Sequence, residues 1–155
     1  MKVRIDTAER MHSLGLALGG LLRAGDLVVL SGGLGAGKTT LTRGIGEGLD
    51  VRGPVTSPTF VIARVHPPLG DGPPLVHVDA YRLGGFAEVD DLDLDADLAA
   101  AVTVVEWGEG LVEGLSEDRL EIRMSRIGDS ESREVLITGV GPRWDMSDWN
   151  GIVPD

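Results

Sequence analysis

Cysteine is absent from the 155-residue chain, so disulfides and thiolate metal sites are excluded. Long apolar runs are missing as well. Hydrophobic residues make up 42% of the chain, yet no run of them approaches the ~18 residues of a membrane span. Met1 to Asp6 lack the apolar stretch of a secretory signal, and with the missing cysteine this leads to the expectation of a cytoplasmic protein. Basic residues are scarce: 14 lysines and arginines face 25 acids, a net charge of −11. A protein that grips a nucleic acid backbone directly presents a basic face, because neutralised phosphates dominate such affinity. The balance therefore disfavours autonomous nucleic-acid binding and suits a basic partner protein better. Asparagine occurs once, at Asn150, so the guanine-reading Asn-Lys-x-Asp motif of GTPases is missing.

What the chain does have is a glycine-rich stretch around which the rest is organised: Gly32, Gly33, Leu34, Gly35, Ala36, Gly37, Lys38, Thr39 and Thr40. It satisfies G-x-x-x-x-G-K-[ST], the phosphate-binding loop. The flanks agree with it. Leu27 to Leu30 is a short apolar run suited to a buried parallel strand, and after the loop Leu41, Ile45 and Leu49 recur at spacing four, as on one face of a helix. Glycines let successive backbone N–H groups converge on one anion. The helix that follows adds its dipole and its unpaired first N–H groups. Lys38 supplies an ammonium for the β- and γ-phosphates, and the Thr39 hydroxyl is a hard oxygen ligand suited to Mg²⁺. A nucleoside triphosphate site follows.

Before the loop, Val3 to Ile5 reads as a short strand. Asp6 or Thr7 then caps a helix, with Glu9 placed as in a capping box, and Met11, Leu14, Leu18, Leu21 and Leu22 carry helical spacing to about residue 23. His12 on this helix reads as a surface residue. After the loop helix, residues 52–60 contain two prolines and a glycine and form a connector. The hydroxyls of Ser57 or Thr59 in it are candidates to sense the γ-phosphate or its metal, as a switch segment does; a plain connector into the strand Phe60 to His66 is the alternative. Pro67 to Pro74 is a turn. Leu75 to Asp79 is an apolar strand ending in an acid, and Val102 to Val105 is another, ending in Glu106. Two strand-end acids after one phosphate loop make a pair in which one holds Mg²⁺ and the other orients or deprotonates the attacking water. His77 is expected to pack or hydrogen-bond within its strand. The acidic stretch Asp90 to Asp97 fails as an EF-hand loop, since Ala96 stands where glycine is required and Val102 where the bidentate glutamate belongs. Gly108 to Leu115 reads as a short helix, and Arg119 to Ser125 with Arg133 to Val140 as a hairpin. Residues 1–140 form one domain. Residues 141–155, with Trp144 and Trp149, are a tail that either drapes on it or docks elsewhere.

Taken together, the loop 32–40, Thr56 to Phe60, His77 to Leu83 and Val105 to Trp107 resemble the bacterial ATPase of tRNA threonylcarbamoyladenosine biosynthesis, the TsaE (YjeE) family, in order and spacing over about residues 6 to 125. The resemblance implies a three-layer α/β P-loop fold with a mixed, mainly parallel sheet and a C-terminal antiparallel hairpin. It also implies an ATPase, weak alone and stimulated by partners, that joins the carbamoyl-transferring subunit and its paralogue as they modify adenosine 37 of tRNAs reading ANN codons, with tRNA reached only through the complex. By position, Lys38 would bind phosphate, Thr39 and Glu106 would hold Mg²⁺, Asp79 would share the metal and water shell, and Ser57 to Thr59 would be the switch. The neighbourhood of Thr7 and Ala8 would lie near adenine. Two positions depart from the family: Gly33 replaces an acid after the first glycine, and Met11 a small hydroxyl residue. A small-molecule kinase, which needs an acceptor pocket and an arginine-rich lid that the chain does not display, and a nucleotide-gated interaction protein with negligible turnover are the alternatives.

Overall fold

The computed structural model describes residues 2–32, 37–51, 63–79, 100–106, 118–128, 131–141 and 144. Seven strands and two helices lie in this part of the chain: β1 (Lys2–Ile5), α1 (Ala8–Leu21), β2 (Leu27–Gly32), α2 (Lys38–Gly48), β3 (Ala63–His66), β4 (Leu75–Asp79), β5 (Val102–Glu106), β6 (Arg119–Arg126) and β7 (Arg133–Val140). The strands form one sheet in the order β1-β7-β6-β2-β5-β4-β3. Parallel pairings hold its centre, β6 with β2, β2 with β5 and β5 with β4. The C-terminal hairpin of β6 and β7 is antiparallel, as expected, and the antiparallel edges β1 and β3 add to it.

The burial follows from the sequence pattern. All five residues of β5 and the first four of β2 are buried, which is what a continuous apolar run between two covered faces produces. β6 instead alternates, with Leu120, Ile122 and Met124 buried and Arg123 exposed between them, the period-two signature of a strand with one wet face. Those residues join Val28, Leu30, Val104, Val135 and Ile137 in one core with the apolar faces of α1 and α2. Fully burying one such side chain contributes about 1.5–3 kcal/mol.

Thr7, rather than Asp6, caps α1: its Oγ1 accepts from the Arg10 N–H at 3.1 Å. α1 ends at Leu21, and the chain turns into β2 where buried Asp26 accepts from the Arg23 N–H at 2.8 Å. α1 and α2 run side by side in the same direction and touch backbone to backbone. A Cβ on Gly15 would stand 2.8 Å from Gly44 Cα, and one on Gly19 2.8 Å from Gly48 Cα. At that approach only glycine fits on either helix. His12 is not a bare surface group: its Nε2 lies 2.8 Å from Glu47 Oε2 across this pair.

The β3–β4 hairpin spans the proline-rich turn, and Pro68 bridges back to Val51 after α2. Trp144, within the expected tail, is buried in the core. The expected helix 108–115, the connector 52–60 and the acidic stretch 90–97 lie outside the described residues.

Candidate functional site

β2, β5 and β4 deliver their carboxyl ends side by side. Leu30 of β2 registers with Glu106 of β5, and Glu106 registers with Asp79 of β4. The backbone therefore sets both strand-end acids level with the point where β2 enters the glycine-rich loop, the edge at which open α/β sheets bind ligands.

The two described ends of that loop show how it turns. Gly32 has φ 149° and Gly37 has φ 104°, and Gly37 is the N-cap of α2 in the left-handed conformation. A side chain at Gly37 would be strained, and it would also meet Met11, whose Cε lies 3.2 Å from where a Cβ would stand. Met11 thus packs α1 against the end of the loop. The first turn of α2 closes with the Leu41 N–H on the Gly37 carbonyl at 3.0 Å, and no acidic residue lies in that turn. The leading N–H groups of a helix have no acceptor within it, so this end of α2 presents the positive end of the helix dipole to an anion.

Lys38, the first residue of α2, is buried, and its Nζ donates to the Gly32 carbonyl at 2.7 Å. Its side chain thus links the two described ends of the loop. Thr39 and Thr40 follow it, both half-buried. The hydroxyl of Thr42 is spent on the Lys38 carbonyl at 2.8 Å, one turn back. Glu106 is buried, only 4% exposed, and its Oε2 lies 3.1 Å from Nε2 of the wholly buried His77.

Of the residues singled out in the sequence, the structure brings Gly32, Gly37, Lys38, Thr39, Thr40, Glu106 and the backbone of Asp79 to one edge of the sheet. Gly33, Leu34, Gly35, Ala36, Ser57 and Thr59 lie outside the described residues. The sequence reading did not find the bond from His77 to Glu106. A signal for it exists: His77 stands two residues before Asp79, so if the two acid-bearing strands are parallel neighbours, its ring lies diagonal to the other acid.

The donor set suits Mg²⁺. Among the described residues no group of three or more His, Cys, Asp or Glu could hold a metal by itself. Mg²⁺ does not ask for one, because it binds through one or two carboxylates together with substrate phosphates. A buried carboxylate at a strand end and a hydroxyl at the start of the loop helix meet that description.

The family model described as "Threonylcarbamoyl adenosine biosynthesis protein TsaE" matches residues 5–135. Similar proteins include the tRNA threonylcarbamoyladenosine biosynthesis protein TsaE of Streptomyces coelicolor, 69% identical over 142 residues that cover 89% of this chain and 96% of that protein. The TsaE of Mycobacterium tuberculosis is 56% identical, covering 81% of this chain and 79% of the other. Among solved structures, the crystal structure of Bacillus subtilis YdiB superposes with a TM-score of 0.72 at 35% identity, covering 94% of this chain and 89% of that one. The α/β architecture and its mixed sheet agree with that fold.

Proposed function

The chain belongs to the TsaE family of threonylcarbamoyl adenosine biosynthesis proteins, and on that footing we propose that it binds ATP with Mg²⁺ and hydrolyses it in support of the threonylcarbamoyl modification of adenosine 37 in tRNAs reading ANN codons. Hydrolysis promotes turnover of a complex of partner proteins, the carbamoyl-transferring subunit and its paralogue, which hold the tRNA. One observation carries the reading: a glycine-capped helix start with a buried lysine sits at the same sheet edge as two strand-end acids.

Each residue has a task in it. The backbone N–H groups at the start of α2 and the loop hold the phosphates. Lys38 exchanges the Gly32 carbonyl for phosphate oxygens, trading a neutral acceptor for charged ones, which form the stronger hydrogen bonds. Thr39 and Glu106 would hold Mg²⁺, which when bound neutralises charge on the phosphate oxygens. Asp79 shares the metal and water shell with Glu106, where one of the two acids orients the attacking water or takes its proton. Ser57 and Thr59 sense the γ-phosphate. Since the chain carries a net charge of −11, the partners rather than this surface grip the tRNA.

The test is phosphate release from ATP by the chain alone, by the partner pair alone and by the three together. Slow release alone that rises with the pair is expected. Transfer of phosphate to an added small molecule would instead mark a kinase, and binding without turnover in every mixture a nucleotide-gated switch. Lys38→Ala should weaken ATP binding by about 1.5–3 kcal/mol, one charge-assisted hydrogen bond, or about ten- to a hundredfold in Kd.

A further inference from the structure

We propose that His77 is a positioning residue for Glu106: its ring fixes the carboxylate at the end of β5 so that this group meets the metal–phosphate complex in one orientation. The proposal rests on the ATP-hydrolysing reading above. His77 lies on β4 opposite Val104, and Glu106 lies two residues further along β5. In a parallel pair, residues in register share a face, so the imidazole and the carboxylate project to the same side and lie diagonal to each other. Nε2 and Oε2 are 3.1 Å apart, with His77 0% and Glu106 5% exposed in their side chains.

The surroundings select the arrangement. Nδ1 of His77 is buried and has no hydrogen-bond partner, and Leu75, Val102 and Val104 are buried around it on the same two strands. With the proton on Nε2, the ring donates to the carboxylate and leaves only a bare lone pair in the apolar interior. With the proton on Nδ1, a buried N–H would go unsatisfied and a nitrogen lone pair would face carboxylate oxygens. Leaving a buried donor unmet is costly, so the geometry demands donation from Nε2. A histidine with one nitrogen stranded in the core is a poor packing choice where leucine or phenylalanine would do. What it contributes is the single directed bond to Glu106. Partners one step removed from a metal typically change its affinity or the activity ten- to a hundredfold when lost.

The experiment uses the full chain and reads both binding and turnover. A fluorescent ATP analogue is titrated into wild type, His77→Gln, His77→Asn and His77→Leu, each in excess Mg²⁺ and in EDTA, with phosphate release measured alongside in the presence of the partner proteins. Gln can place an amide N–H near the position of Nε2, whereas Asn and Leu cannot. The expected result is nucleotide affinity in EDTA equal to wild type in all three, because the loop and Lys38 are untouched. The Mg²⁺ concentration needed for tight binding should rise about tenfold or more in His77→Leu and His77→Asn, with turnover falling in step, and His77→Gln should recover most of both. Where His77→Leu fails to fold, the Gln and Asn pair decides, since both keep a polar side chain in the same space. Equal Mg²⁺ dependence in Gln and Asn overturns the positioning role, as does wild-type Mg²⁺ dependence in His77→Leu; either leaves the ATPase reading standing. Absence of any Mg²⁺-dependent ATP binding in wild type overturns both.

Discussion

Asp6 shows how one side chain is shared between elements at the far margin of the sheet from β3. Its Oδ1 accepts from Ser132 Oγ at 2.8 Å and from Arg4 Nε at 2.9 Å, and its Oδ2 lies 4.0 Å from Arg10 Nη1. β1, α1 and the start of β7 meet on one carboxylate. The hydrogen bond from Ser132, then that from Arg4, hold its pKa below the ordinary 3.8. The folded state therefore releases this proton at a pH where the unfolded chain still binds it. The stability that follows is fully present above the unfolded value and is lost as pH falls through the folded one. The guanidinium and carboxylate are both largely exposed, so solvent keeps the effect modest. Asp6→Asn should lower the melting temperature at neutral pH, and the gap from wild type should close as the series of melts moves into acid below the carboxylate range. A gap that stays constant with pH would remove the charge from the account. At the same scale, only half of the helix start was legible from residue types: both Asp6 and Thr7 are good caps, and the choice of Thr7 followed from Asp6 being drawn to Ser132, a residue 126 positions away.

The pairing of α1 and α2 fixes the end of the glycine-rich loop, because α2 begins with Lys38 and Met11 of α1 lies beside Gly37. Hydrophobic periodicity revealed both helices, since Leu14 and Leu18 on one, and Leu41 and Ile45 on the other, mark their buried faces. It did not reveal how they touch. Gly15 and Gly19, like Gly44 and Gly48, are spaced by four, but they carry no hydrophobic signal, and their meaning depends on facing each other. A Cβ on Gly44 would lie against the His12 carbonyl and 2.9 Å from Gly15 Cα, both rigid backbone. Gly44→Ala should therefore force the helices apart and destabilise by about 1–3 kcal/mol, as overpacking does. Gly20 is the control: it lies in the same helix α1 with nothing within 4 Å of its would-be Cβ. Gly20→Ala should stabilise by about 0.4–1 kcal/mol through the unfolded chain. Denaturant melts of the two variants should shift in opposite directions, and the loss in Gly44→Ala should bring weaker ATP binding with it. Shifts of the same sign would mean that the close contact is not what glycine serves there.

Over the whole molecule, local signals and long-range ones separated cleanly. The runs of β2, β4 and β5, the alternation of β6 and β7, and the acids at the strand ends are properties of short stretches, and these are legible in the sequence. The order of strands is not such a property. Nothing local tells β1 to pair with β7, with Lys2 opposite Leu136, or β4 to lie beside β5, and the bond from His77 to Glu106 exists only because of that second adjacency. Net charge is the other whole-molecule quantity, and composition alone gives it: 25 acids against 14 bases. Each phosphate that a protein neutralises on duplex nucleic acid steepens the fall of log K with log salt by about 0.9. If the chain reaches tRNA only through partners, as proposed above, it should show no retention of tRNA by itself in gel-shift or filter assays, even at low ionic strength. Added to the partner pair with tRNA, it should leave the salt slope of the complex unchanged to within about one phosphate contact. Retention by the chain alone that weakens steeply with salt would point to a basic face hidden within the acidic average, and the partners would no longer be needed to account for how the tRNA is held.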